Sequence, residues 1–166
     1  MVAACSDASS CFPCSWPPAF SGRTRPRRRP SNASWRRPPS PDVTVVHLWA
    51  PWCSECKTEL ADGAWSAFIT ANPQVHFIFV TVWNDADGHE LLQRNGLGAQ
   101  PNFQLLLHPN GSRKRGEKVT ELLGLPVSWI PSTWIFKKGH LYYAMNYGEL
   151  HFPMLQQLIK DSTTSW

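Results

Sequence analysis

Two runs of strand length, "VTVVHLWA" from Val43 and "VHFIFVTVW" from Val75 to Trp83, are apolar at successive positions rather than at alternate ones. A strand covered on both faces, as in a parallel sheet, reads this way, whereas a strand with one wet face alternates. The first run should therefore be central. Pro51 stops it, and from Glu55 to Ala71 the residues Leu60, Ala64, Ala67 and Phe68 recur at helical spacing and predict a first helix. After the second run, "NDADG" predicts a loop and helix start, and "HELLQRNG" a helix capped at Gly96. "NFQLLLH" predicts a third strand closed by the Pro109-Asn110-Gly111 turn, and "EKVTELLG" a short helix ending at Gly124.

The C-terminal third changes texture. "STWIFKKGHLYYAMNYGEL" predicts two strands joined through Lys138-Gly139, hence antiparallel neighbours, and a helix from Phe152 to Lys160 follows. Parallel β-α units followed by a hairpin and a helix describe an α/β fold with a central mixed β-sheet and helices on both faces.

Residues 1–41 lack either periodicity. They hold eight prolines with many Ser and Arg, the composition of a segment that cannot offset its ordering entropy, and are expected to be disordered. Two further readings apply to them: a remnant of a targeting segment, or a misassigned start. The rest of the 166 residues, 42–166, is the right length for one domain with a real core. Charge divides at the same place. Seven Arg against Asp7 give residues 1–41 a charge of +6, so with a total of +4 the domain sums to −2. Nucleic-acid binding needs a basic face on the folded part, and the positive charge sits in the Pro-broken tail, so no nucleic-acid partner is expected. No apolar stretch reaches the roughly 18 residues of a membrane span.

Five cysteines are too few for a disulfide scaffold, and only Cys53 and Cys56 fall inside the periodic sequence. Cys-x-x-Cys alone also serves zinc and haem. Haem attachment needs a His directly after the second Cys, where Lys57 stands. Here the pair follows a buried strand and opens a helix, where unpaired backbone N–H groups stabilise a thiolate, so Cys53 is the expected exposed nucleophile. Cys56, about one turn on, is placed to attack the sulfur of Cys53 in a mixed disulfide. The redox-active pair is thus its own electron carrier, with no bound cofactor and no metal expected.

Acids and a histidine lie nearby. Glu55 places a negative charge beside the nucleophile and should favour a reducing poise. Glu59, three residues after Cys56, shares its helical face and is either a proton acceptor for Cys56 or a solvated residue; spacing does not decide. His47, in the middle of the first strand, is either a hydrogen-bonded core histidine or a group beneath the disulfide.

These residues resemble the thioredoxin superfamily, and within it the TlpA/ResA-like envelope thiol–disulfide oxidoreductases, over Val43 to about Ser162. "VVHLWAPWCSECKTEL" is similar to that family's strand, Trp-Cys-x-x-Cys and Glu-Leu signature, and "WIPSTWIFKKGHLYYAMNYGEL" to its second signature, where a cis-proline faces the disulfide. The resemblance implies a thioredoxin-like three-layer fold and a catalytic set of Cys53, Cys56, Glu59 and His47. It also implies substrate contacts by Trp52, Ile130 and Pro131, the last preceded by a cis bond. His47 falls where thioredoxins carry a buried acid, which implies a proton relay with a pKa nearer neutrality. Trp49 matches a position that shapes the surface around the cysteines or simply packs. Protein thiols and disulfides are the implied substrates, with an upstream membrane reductant, folding or haem-attaching envelope partners, and a monomeric state. The implied location is the cell envelope or periplasm, the cytoplasm being the alternative.

Three departures stand beside the resemblance. The family's upstream β-hairpin is absent from the Arg-Pro-rich tail. The proline that follows Glu-Leu is Ala61 here, so the usual kink in the first helix is not expected. No complete signal peptide precedes Val2-Ala3-Ala4-Cys5, which is similar to a lipobox and would anchor the chain at Cys5 only if the true start lay upstream. Two rival functions remain: a redox-inactive peptide-binding module of the same fold, and a structural zinc protein drawing on Cys11, Cys14, Cys53 and Cys56. The gap between Cys14 and Cys53 exceeds the roughly 12 to 20 residues usual in zinc sites.

Overall fold

The computed structural model describes residues 42–146 and 150–164; the readings made for residues 1–41, including Cys5, Cys11 and Cys14, lie outside the described residues. Seven strands and four helices follow in the order β1 (Val43–Trp49), α1 (Ser54–Leu60), α2 (Ala64–Ala71), β2 (His76–Thr81), α3 (His89–Arg94), β3 (Phe103–Leu107), β4 (Glu121–Leu122), β5 (Leu125–Pro126), β6 (Ser132–Lys137), β7 (His140–Met145) and α4 (Phe152–Thr163).

Five strands form one sheet in the order β3-β2-β1-β6-β7, with β1 at its centre as its unbroken apolar run predicts. Strands β1, β2 and β3 run parallel, while β6 and β7 are antiparallel additions on the other side of β1. Every residue of β1 is buried, including Thr44 and His47. The side chains of Phe77 and Phe79 meet Trp65 of α2 edge-on, at centroid distances of 6.4 and 5.0 Å. Phe152 of α4 packs on the same Trp65 at 5.2 Å, so α2 and α4 cover one face together. Burying rings of this size supplies the largest share of the core's stability, with edge-to-face pairs adding about 0.5–1.5 kcal/mol each.

Two elements differ from the sequence reading. The predicted helix over 55–71 is broken at a 3₁₀ turn, Ala61–Gly63, even without a proline. Asp62 and Gly63 both adopt left-handed backbone, with φ of 57° and 68°. An Asp-Gly pair enters that region at little cost, since Gly lacks a Cβ and Asp tolerates it, and helical hydrogen bonding stops there. The segment "EKVTELLG" is not a helix: Glu121–Leu122 and Leu125–Pro126 form a small antiparallel hairpin. Leu123 and Gly124 at its tip both have positive φ, the requirement of the tight hairpin turn that matches strand twist. Its base is closed by the Val127 N–H donating to the Thr120 carbonyl at 2.9 Å. Helix-forming composition lost to the turn and to burial of Val119, Leu122 and Val127.

Candidate active site

Chain order brings the site together at one end of β1. Beyond Trp49 the strand runs through Ala50 and Pro51, and the backbone N–H of Cys53 donates to the Ala50 carbonyl at 3.1 Å, closing a turn that delivers Cys53 as the N-cap of α1. Cys53 and Cys56 are joined by a disulfide, their Cα atoms 5.2 Å apart. The Cys56 backbone N–H points at the Cys53 sulfur from 3.1 Å. A hydrogen bond to a charged group is worth about 1.5–3 kcal/mol, so in the reduced protein this N–H favours the Cys53 thiolate. Because α1 has only seven residues, this local donor, rather than a long helix's dipole, supplies the stabilisation.

Cys53 is less open than the sequence suggests, at 3% exposure, against 0% for Cys56. Cys53 nonetheless lines a groove of about 400 Å³ formed with Trp52, Glu55, Trp83, Lys118, Trp129 and Ile130. The sulfur lies 3.9 Å from the Ile130 carbonyl oxygen and 3.9 Å from Glu55 Oε2. The Ser54 hydroxyl donates to the same Glu55 oxygen at 2.7 Å. That bond holds the Glu55 carboxyl below its usual range, so the carboxylate beside the sulfur is ionised. Its charge opposes the thiolate, although the carboxylate stands in water that screens it.

The Ile130–Pro131 peptide bond is cis. Ile130 lines the groove, while Pro131 is buried and is not among the lining residues. The Ser132 hydroxyl donates to the Trp129 carbonyl at 3.0 Å and pins the loop that carries both. Trp52, 37% exposed, donates its ring N–H to the Trp83 carbonyl at 3.0 Å. Trp49, by contrast, is fully buried and packs on Phe79, so of its two readings the packing one holds.

His47, Thr133 and Glu59 form a buried polar layer in the interior. His47 pairs with Thr133 in the antiparallel register of β1 and β6, and its Nδ1 stands 2.9 Å from the Thr133 hydroxyl. Its Nε2 is 3.5 Å from Glu59 Oε2, longer than a good hydrogen bond. Glu59 Oε1 accepts the Leu150 backbone N–H at 3.2 Å, and its residue is 8% exposed, so Glu59 is no solvated surface acid. Burial pushes the His47 pKa down to about 3, because no water remains to solvate an imidazolium. The expectation of a histidine titrating near neutrality is therefore corrected: burial favours a neutral His47 ring, held between Thr133, Trp65 and Phe79.

The structure thus divides the expected site residues into two groups. Trp52, Cys53 and Ile130 meet at the groove, and His47 of β1 meets Glu59 in the interior, Glu59 lying on the buried face of α1 that also carries Cys56. The sequence reading missed Thr133, Trp83, Lys118, Trp129 and Arg113. Thr133 follows from strand register once β1 and β6 are paired, whereas the Arg113 guanidinium over the Trp52 ring, 3.9 Å from its centroid, has no local signal. Among the described residues no group of three or more His, Cys, Asp or Glu is arranged to hold a metal, and Cys11 and Cys14 of the zinc reading lie outside them.

No protein-family model and no curated relative matches the chain. Solved structures do. It is similar to a secreted Mycobacterium tuberculosis disulfide oxidoreductase homologous to E. coli DsbE, with 19% identity, a TM-score of 0.50 and coverage of 72% of this chain and 81% of that one. StoA from Bacillus subtilis is similar at 21% identity and a TM-score of 0.50, covering 73% and 85% of the two chains. A DsbF homologue from Corynebacterium diphtheriae is similar at 18% identity and a TM-score of 0.53, covering 78% and 75%. At these identities the likeness establishes the fold, which is thioredoxin-like: a mixed five-stranded sheet flanked by helices.

Proposed function

We propose that the chain is a dithiol–disulfide oxidoreductase that reduces or isomerises disulfides in proteins, acting as a monomer and carrying its two electrons in Cys53 and Cys56 with no bound cofactor. The observation that supports this most is the Cys53 sulfur, at a helix N-cap with a backbone N–H aimed at it and at the edge of a groove. The reduced pair does the work. Cys53 thiolate attacks one sulfur of a substrate disulfide, the S–S bond breaks, and a substrate thiolate leaves while a mixed disulfide forms. Cys56 then loses its proton and attacks the Cys53 sulfur, which releases the second substrate thiolate and leaves the Cys53–Cys56 disulfide. The substrate gains two electrons and the enzyme loses them.

Glu59 is the group to take the Cys56 proton, since it shares that helical face and its carboxylate is buried. His47, neutral at working pH, acts by position: its Nε2 borders the Glu59 carboxylate and Thr133 fixes the ring. Trp52 and Ile130 contact the substrate chain at the groove, with Pro131 supporting the loop behind Ile130. An upstream membrane reductant would return the electrons, and an envelope setting, with folding or haem-attaching proteins as clients, fits the resemblance of the two signatures and the company of a secreted neighbour.

Insulin reduction with dithiothreitol tests the reading. The full chain should catalyse it, and Cys53→Ser should lower turnover at least about 10³-fold, as expected for loss of a nucleophile. An inactive wild type would favour a redox-inactive peptide-binding module instead.

A further inference from the structure

The folded part of the chain is slightly acidic, yet one of its loops is not. Seven of the 16 Lys and Arg lie in residues 1–41, which leaves nine, and four of these nine, Arg113, Lys114, Arg115 and Lys118, fall within six residues. Against them stands only Glu117, giving the loop a net charge of +3. Glu117 accepts from the Ser112 hydroxyl at 3.0 Å and lies 4.0 Å from Lys114 Nζ, so it is engaged away from Lys118.

Two of these cations are held at the groove beside Cys53. Lys118 is one of its lining residues, with Nζ 4.5 Å over the Trp83 ring, and Arg113 lies over Trp52 at 3.9 Å. The rings are themselves tied into the loop, since Trp52 Nε1 donates to the Trp83 carbonyl at 3.0 Å and Trp83 Nε1 to the Val119 carbonyl at 2.8 Å. A guanidinium or ammonium held over a fixed ring has lost part of its rotamer freedom before any ligand arrives, while it keeps its charge and N–H donors. This is a preorganised reader of negative charge.

We infer that the 113–118 loop is a specificity element that selects protein substrates carrying an acidic side chain next to the reactive cysteine, with Lys118 meeting that carboxylate in the groove and Arg113 at its rim. The inference rests on the disulfide-exchange reading. Glu55, ionised and 3.9 Å from the Cys53 sulfur, sets the polarity of the choice. An acidic residue of the substrate must lie toward Lys118 rather than toward Glu55, and a basic residue on the Lys118 side meets like charge.

The test uses the full chain, dithiothreitol and three fluorogenic disulfide peptides that differ only in having Asp, Gln or Lys beside the cysteine. The Asp peptide should exceed the Lys peptide in kcat/KM by about fivefold at low salt, the range of exposed charge pairs, and the ratio should shrink as salt rises. Lys118→Glu combined with Arg113→Glu should invert the ratio. Equal rates for the Asp and Lys peptides, or a ratio unchanged in the double variant, would overturn the inference while turnover of the Gln peptide keeps the redox reading standing. Failure of the wild type to reduce any of the three would remove both.

Discussion

The two sides of the disulfide are built on opposite principles. Below it, His47, Thr133 and Glu59 are almost dry and are located by strand register and helix pitch. Above it, Trp52 and Trp129 are 37% and 47% exposed, and the Arg113 guanidinium rests on the exposed Trp52 ring. In the lower layer each polar atom is expensive to move because burial removes its alternatives. In the upper layer any one contact is replaceable by water. Under the proposed function, proton handling falls to the buried side and recognition to the exposed one.

The contrast breaks most visibly in the aromatic core against His47. Trp65→Ala, beneath His47 and against Phe77, Phe79 and Phe152, should cost about 3–5 kcal/mol in urea unfolding, as large aromatic truncations in cores do. Glu59→Gln, which keeps the shape but not the base, should slow the resolving step about 10²-fold. Stopped-flow decay of the mixed disulfide would register this while the first attack by Cys53 keeps its rate.

Acidification probes the same layer. The His47 pKa is depressed from 6.5 to about 3 in the folded chain, so the unfolded chain binds a proton that the folded chain does not. Stability is then fully present above pH 6.5 and falls as pH drops toward 3, by about 2 kcal/mol between pH 7 and pH 5 for this one group. His76 and His108, also lowered by burial, add loss of the same sign. Urea titrations of His47→Gln at the two pH values should show most of that difference gone. The smallest effect belongs to the upper side: Arg113→Ala should change unfolding free energy by under about 1 kcal/mol, the scale of an exposed cation–π contact. A loss as large as that of Trp65→Ala would erase the distinction between the two sides.

How far the sequence reaches follows the same division. The central strand, the cysteine pair at a helix start, the Ile130-Pro131 loop and the Lys138-Gly139 hairpin are legible because each is local: a run, a spacing or a turn. Thr133 becomes legible one step later, since its partner is set by register. The helix break at 61–63 carries a local signal, Asp62-Gly63, that the continuing apolar period of Ala64, Ala67 and Phe68 masks. The hairpin at 121–126 was hidden by helix-forming Glu and Leu, whose preference is overridden when the chain turns through Leu123 and Gly124. Arg113 and Lys118 reach the site through contacts with Trp52 and Trp83, 61 and 35 positions away in the numbering, and no periodicity encodes such distances.

The interruption between α1 and α2 has a geometric dividend. On one unbroken helix Glu59 and Trp65, six residues apart, would project about 120° from each other, and a single imidazole could not meet both. With the axis reset at Asp62 and Gly63, the two side chains converge on His47, one 3.5 Å from its Nε2 and the other with its ring tilted against the imidazole at a centroid distance of 4.8 Å. Straightening that joint would take either Glu59 or Trp65 away from the histidine and leave Thr133 and Phe79 to hold the ring.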